Sequence, residues 1–169
     1  AIGGGIVGGL IGAIAEGLLG SISAHWLESL REKKREKKEL IDLARNWNAQ
    51  DRPDKFRYAS LRGADLRRVQ LGGNDRGAPG ADLGHANLRK VNLRKANLQR
   101  VCLVGTDLVG ANLREVNLCG ANLSEADLRR SDLSSANLRG ANLRRARVDR
   151  TTQIADKWRV VWEITTEGA

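Results

Sequence analysis

From Ala81 to Arg150 the chain repeats itself every five residues: ADLGH ANLRK VNLRK ANLQR VCLVG TDLVG ANLRE VNLCG ANLSE ADLRR SDLSS ANLRG ANLRR ARVDR. The third place of these fourteen units is Leu until the last, where Val148 stands. The first place is Ala nine times and Val three times, then Thr106 and Ser131. The second is Asp or Asn except at Cys102 and Arg147. A period of five excludes the ordinary elements. On a helix, five residues turn about 500°, so successive leucines scatter around the axis. On one long strand, an odd period sends each Leu to the opposite face. What remains is a very short extended segment, with places one and three inward and place two outward, then a corner at places four and five. A chain that turns after every unit winds into a coil. Stacked coils bury a column of Leu beside small Ala and bond edge to edge about 4.8 Å apart.

The spacing extends backward. Phe56, Leu61, Leu66 and Leu71 keep the period, with Ala59, Ala64 and Val69 two residues before the last three, so 54–73 completes a further coil. Leu71 and Leu83 are twelve residues apart, not a multiple of five, and GGNDRGAPG (72–80) is therefore expected to leave the wall as a loop. Phe56 is expected to close the first coil with a larger side chain.

These units resemble the pentapeptide-repeat family, whose signature is A(D/N)LXX, and the resemblance covers residues 81–150 almost without departure. It implies a β-solenoid, the right-handed quadrilateral β-helix, with four units per coil. Some members of the family imitate duplex DNA and bind DNA gyrase through an acidic rod. Here residues 81–150 carry a net +6 and make only a short rod, so a topoisomerase-binding role is the least favoured of three readings.

The front of the chain differs in kind. Residues 1–24 hold no basic residue and one acid, Glu16. The stretch Ile2–Ile22 is long enough for a membrane span. Gly4, Gly8 and Gly12 form one four-residue stripe, with Gly5, Gly9 and Gly17 on its neighbour. Such stripes let helices approach closely in lipid, whereas in water each Gly weakens a helix by about 1 kcal/mol. Glu16 falls on the first stripe, a costly place for an acid inside a membrane. REKKREKKE follows, and Arg31, Lys33, Lys34, Arg35, Lys37 and Lys38 are candidates for binding an anionic surface. By the positive-inside rule that end is cytoplasmic and the N-terminus outside. Helical spacing of Leu40, Ile41, Leu43, Ala44 and Trp47 carries the connector on, and Asp51-Arg-Pro-Asp54 breaks it. At the far end Ile154, Trp158, Val161 and Trp162 keep helical spacing, so a short helix laying Trp158 and Trp162 over the last coil is expected as a cap.

The expected divisions are a Gly-rich transmembrane helix at 1–27, a charged connector at 28–53, the β-helix at 54–150 and the cap at 151–169. Little in them suggests catalysis. Gly3, Gly5 and Gly8 match a dinucleotide fingerprint in spacing only, with no strand before them. His25 and His85 have no partners at ligand spacing, so no metal site is expected. Cys102 and Cys119 read as bystander thiols, and no nucleophile–base pair or cofactor site stands out. The charge is uneven and the chain is basic, +9 overall. Arg and Lys fill the solvent-facing corners. Arg89/Lys90 and Arg129/Arg130 stack on one face, and Arg94/Lys95 lie on the next, with no aromatic between them for base stacking. An acidic protein surface or lipid headgroups are the expected partners there, and nucleic acid is not. The sequence thus reads as a non-enzymatic, single-pass membrane-anchored scaffold or accessory subunit. Its glycine-striped helix would pack on transmembrane helices of partner subunits or of a second copy. The alternative is a glycine-zipper homo-oligomer with Glu16 in an ion path.

Overall fold

In the computed structural model, residues 5–47, 56–73 and 78–155 are described, with side chains from His25 onward. The chain divides into two units, Ala1–Lys38 and Glu39–Ala169.

A single helix, α1 (Gly5–Arg45), covers the expected front and connector. From Glu28 to Arg45 it is rich in Glu, Lys, Arg and Leu, strong helix formers, and Arg31 pairs with Glu28 one turn back at 3.2 Å. The membrane assignment needs correction. Among the described residues, no helix is long and apolar enough to cross a membrane. In the part of α1 whose side chains are described, Arg31, Lys33, Lys34, Arg35 and Lys38 are exposed and Lys37 half-exposed, so this part adds no apolar stretch. Each would cost about 2.5–3.5 kcal/mol at a bilayer centre. The single-pass orientation with a cytoplasmic β-helix, read from the same segment, falls with the span. Gly4 lies outside the described residues, as do the side chain of Glu16 and the surroundings of Gly5, Gly8, Gly9, Gly12 and Gly17.

The repeats wind into a four-sided solenoid. Bridging partners are parallel and twenty residues apart: Asp82 with Cys102, Asn87 with Asp107, Asn92 with Asn112, Asn97 with Asn117. The first coil, from Phe56 to Leu71, pairs at an interval of twenty-seven instead: Ser60 with Asn87, Asp65 with Asn92, Gln70 with Asn97. The difference of seven is the loop expected at 72–80. Most pairings are isolated bridges. Among the described residues, only β1 (Asp132–Leu133) and β2 (Gln153–Ile154) form a two-stranded parallel pair. Ile154, expected to begin a capping helix, is therefore extended, because its backbone continues the wall beside Leu133. Trp158 and Trp162 lie outside the described residues.

Each place of the unit has its physical reason. The N–H of place one closes the corner on the preceding Leu carbonyl, as Ala86 does on Leu83 at 3.0 Å. Places two, three and five donate to neighbouring coils: Asn87 to Ala59 at 2.9 Å, Leu88 to Asp107 at 2.8 Å, Lys90 to Val109 at 3.0 Å. The place-four N–H turns instead to the side-chain oxygen of place two, as Arg89 to Asn87 at 3.2 Å and Gly84 to Asp82 at 2.8 Å. All five donors are thus used, which a structure without long strands must achieve to keep its backbone out of water. This is why place two is Asp or Asn. Where Asn follows Asn on one face, the amide also links coils: Asn117 donates to Asn97 at 3.3 Å and Asn137 to Asn117 at 3.2 Å.

The core is a stack of leucines with Ala and Val between them, from Phe56 through Leu138. Each fully buried Leu contributes about 1.5–3 kcal/mol. Polar residues at place one are satisfied within it, as Thr106 donates to the Leu83 carbonyl at 2.8 Å. At the first coil the last turns of α1 join the core: Ala44 and Trp47 are buried in the same cluster as Phe56, with Leu40, Ile41 and Leu43 packed against it. The solenoid is therefore covered at this end by its own connector, which keeps the coil edge from pairing with another chain.

Candidate anion-binding groove

Five cations converge at one corner of the solenoid. The third face carries Asp65, Asn92, Asn112 and Asp132 at place two, so its corners are Arg67/Arg68, then Arg94/Lys95, then Arg114/Glu115. Arg45, in the last turn of α1, reaches the same corner and donates to the Asp65 carbonyl at 3.1 Å. Arg45, Arg67, Arg68, Arg94, Lys95 and Asp65 line an open groove of about 460 Å³.

The internal pairing is partial. Arg67 grips the Asp65 carboxylate bidentately, its Nε and Nη2 donating to the two oxygens at 2.8 and 2.7 Å. Glu115, one coil along, accepts from Arg94 at 2.8 Å and pairs with Lys95 at 3.3 Å. Arg67 holds the Asp65 carboxyl below its ordinary range, and Arg94, with Lys95 after it, does the same for Glu115. Arg45 and Arg68 have no carboxylate within ion-pair distance among the described residues. Counting Glu115 with the lining, five positive charges meet two negative ones. The corner also holds these groups out. Arg68 and Lys95, at place five, have φ of 59° and 61°, the left-handed region that most place-five residues adopt.

The expected partner-binding residues are thereby divided. Arg94 and Lys95 belong to the groove. Arg89, Lys90, Arg129 and Arg130 lie on the second face, separated by Val109/Gly110, and two of the four are paired with carboxylates. Arg89 pairs with Asp107 at 3.2 Å, Arg129 with Asp127 at 2.5 Å, and Arg147 joins Asp127 at 3.7 Å. Arg129 accordingly holds Asp127 below its ordinary range. Sequence reasoning missed that Arg45, Arg67 and Arg68 complete the Arg94/Lys95 cluster. The signal for two of them was present, since removing the seven surplus residues of 72–80 puts Leu66 over Leu93.

Two smaller features lie elsewhere. On the first face His85 stacks on Tyr58, ring centroids 5.3 Å apart and 11° from parallel, with the Arg57 guanidinium 5.5 Å from the Tyr58 ring. Gly105 leaves room for that imidazole: a Cβ there would come within 2.6 Å of His85 Nδ1. Cys102 and Cys119 are free, half-buried thiols, and burial pushes the Cys102 thiol up. Among the described residues, no cluster of His, Cys, Asp and Glu suits a metal ion.

A four-sided parallel coil of five-residue units defines a β-solenoid repeat protein. The chain belongs to the pentapeptide-repeat family. The family's sequence profile matches residues 80–114 and 111–148, and membership implies the right-handed quadrilateral β-helix. Among solved structures, the chain is 31% identical to HetL of the cyanobacterium Nostoc sp. strain PCC 7120, a pentapeptide repeat protein involved in heterocyst differentiation regulation. That match covers 53% of this chain and 46% of HetL, with a TM-score of 0.39; the chain thus spans about half of HetL. A second pentapeptide repeat protein from the same Nostoc strain is 30% identical over 61% of this chain and 94% of its own, with a TM-score of 0.44. A pentapeptide repeat protein from the Arabidopsis thaliana thylakoid lumen is 25% identical over 65% and 78%, with a TM-score of 0.29. No curated protein matches the chain.

Proposed function

We propose that this chain is a non-enzymatic binding scaffold whose β-helix presents the Arg45–Arg67–Arg68–Arg94–Lys95 groove to an acidic partner protein. The observation that carries the reading is the surplus of cations at one corner, with two guanidiniums unpaired by any described carboxylate. Elsewhere on the wall several arginines carry carboxylate partners, Arg89 with Asp107 and Arg129 with Asp127 among them. Charge left uncompensated at a concave site steers and selects an oppositely charged partner. The groove has no aromatic side chain for bases to stack on, which argues against single-stranded nucleic acid. Fixed spacing between coils gives the surface the rigidity that a scaffold requires.

The test is affinity purification of the tagged protein from its native cells at low salt, beside an Arg45→Glu/Arg68→Glu variant and an Arg139→Glu control. An acidic partner that co-purifies in stoichiometric amount with wild type and control, dissociates on raising salt and is lost from the double variant supports the reading. A partner that the double variant retains overturns it.

A further inference from the structure

Given that the groove is the partner site, we infer that the group it recognises is phosphate, in the form of two or more phosphate groups held close together, and not an ordinary Asp/Glu cluster. The argument rests on what the resident carboxylates already do. Asp65 occupies the fork of Arg67 through both oxygens, and Glu115 occupies the corresponding edge of Arg94 together with Lys95. An incoming carboxylate carries the same single charge and the same two oxygens, so displacing either resident exchanges like for like. A phosphate monoester carries about −1.5 to −2 charges at pH 7 and three acceptor oxygens, and so competes where a carboxylate does not.

Arg45 and Arg68 supply the rest. They arrive from different elements, the last turn of α1 and the corner of the first coil, and neither has a carboxylate within ion-pair distance among the described residues, although Arg45 also donates to the Asp65 carbonyl at 3.1 Å. Guanidinium forks match phosphate oxygens two at a time. The groove's volume of about 460 Å³ is that of a small-ligand site, and its six lining residues are all charged. Its surplus of positive charge suits a compact multivalent anion, such as an inorganic oligophosphate or the paired phosphates of a doubly phosphorylated segment.

Fluorescence anisotropy of the full chain with three probes separates the possibilities. One is a labelled peptide bearing two adjacent phosphoserines, the second is the same peptide with two Glu, and the third is inorganic triphosphate, used as competitor and also titrated directly by calorimetry. The phosphopeptide is expected to bind at least about tenfold tighter than its Glu counterpart, with triphosphate displacing it. Arg45→Ala/Arg68→Ala is expected to lose about tenfold or more, while Arg139→Ala on the fourth face changes nothing; unaltered melting of the variants shows that they fold. Triphosphate binding without phosphopeptide binding assigns the site to free oligophosphate and supports the phosphate chemistry. Equal binding of the two peptides overturns the phosphate preference while leaving the acidic-partner reading intact. Failure of all three probes, or full binding by the double variant, overturns the inference.

Discussion

The Ala81 N–H donates to the Leu71 carbonyl at 2.9 Å, the bond that elsewhere closes a two-residue corner, although nine residues stand between them here. The segment 72–80 is thus an enlarged corner, and the wall on either side continues as if it were absent. Gly73 already donates to the Gln99 carbonyl at 2.8 Å, as a place-five residue does. Removing residues 74–80 leaves Leu71-Gly72-Gly73-Ala81 and restores an interval of twenty. The deletion is expected to fold and to melt at or slightly above the wild-type temperature, since shortening the loop from nine residues to two lowers its closure cost by about 1 kcal/mol. Loss of cooperative melting would show that the loop supports the wall.

Trp47 is 7% exposed and its Nε1 has no hydrogen-bond partner among the described residues. Its value to the first coil is apolar area, set against the cost of an unpaired donor. Trp47→Ala should cost about 3–5 kcal/mol and Trp47→Phe far less, because it removes the orphaned donor while keeping most of the ring. Urea unfolding of the two variants checks the order.

Ser135 holds φ at 58°. A β-branched side chain is poorly tolerated in that region, so Ser135→Val is expected to destabilise by about 1–2 kcal/mol and Ser135→Gly to be neutral or mildly stabilising. Shifts of the urea midpoint in opposite directions are the signature.

Asp149 closes the last described turn. The Thr151 hydroxyl donates to its carboxylate at 2.7 Å, and the backbone N–H groups of Arg130 and Thr151 donate at 3.2 and 3.0 Å. Together these bring its pKa to about 2 from an ordinary value of 3.8. A carboxyl depressed by folding stabilises the protein fully above its unfolded pKa, and the contribution disappears as pH falls through the folded value. Melting temperature should therefore decline between about pH 4 and pH 2. Asp149→Asn should flatten part of that decline, because the substituted group does not titrate there. An unchanged acid profile in Asp149→Asn would remove this residue from the account.

The solenoid was readable because its rule is local: Leu at place three must be buried, and only a turn after every unit buries all of them. The inward set and the excursion at 72–80 follow from that spacing. Place two was read as outward, but its bond to the place-four N–H was not, since a side chain that serves its own corner looks like any solvated Asn. The groove was half visible. Arg94 and Lys95 carry a repeat address, whereas Arg45 belongs to a helix whose docking no periodicity encodes. The front misled for a different reason. Apolar composition and glycine stripes measure what a helix would bury in lipid, and the charged turns that continue α1 answer to water.

The bonds that join one coil to the next, Leu88 N–H to the Asp107 carbonyl among them, run along the stacking direction. Tension between the two ends would meet them one coil at a time, not all together, so the body resists stretching weakly and yields in steps. Twenty residues pulled straight reach about 70 Å, where a stacked coil occupied about 5 Å. A single-molecule trace should show a sawtooth of nearly equal lengths, with one longer release where the enlarged corner adds seven residues. Mechanically the protein is a spool, and that one irregular tooth marks which end is unwinding.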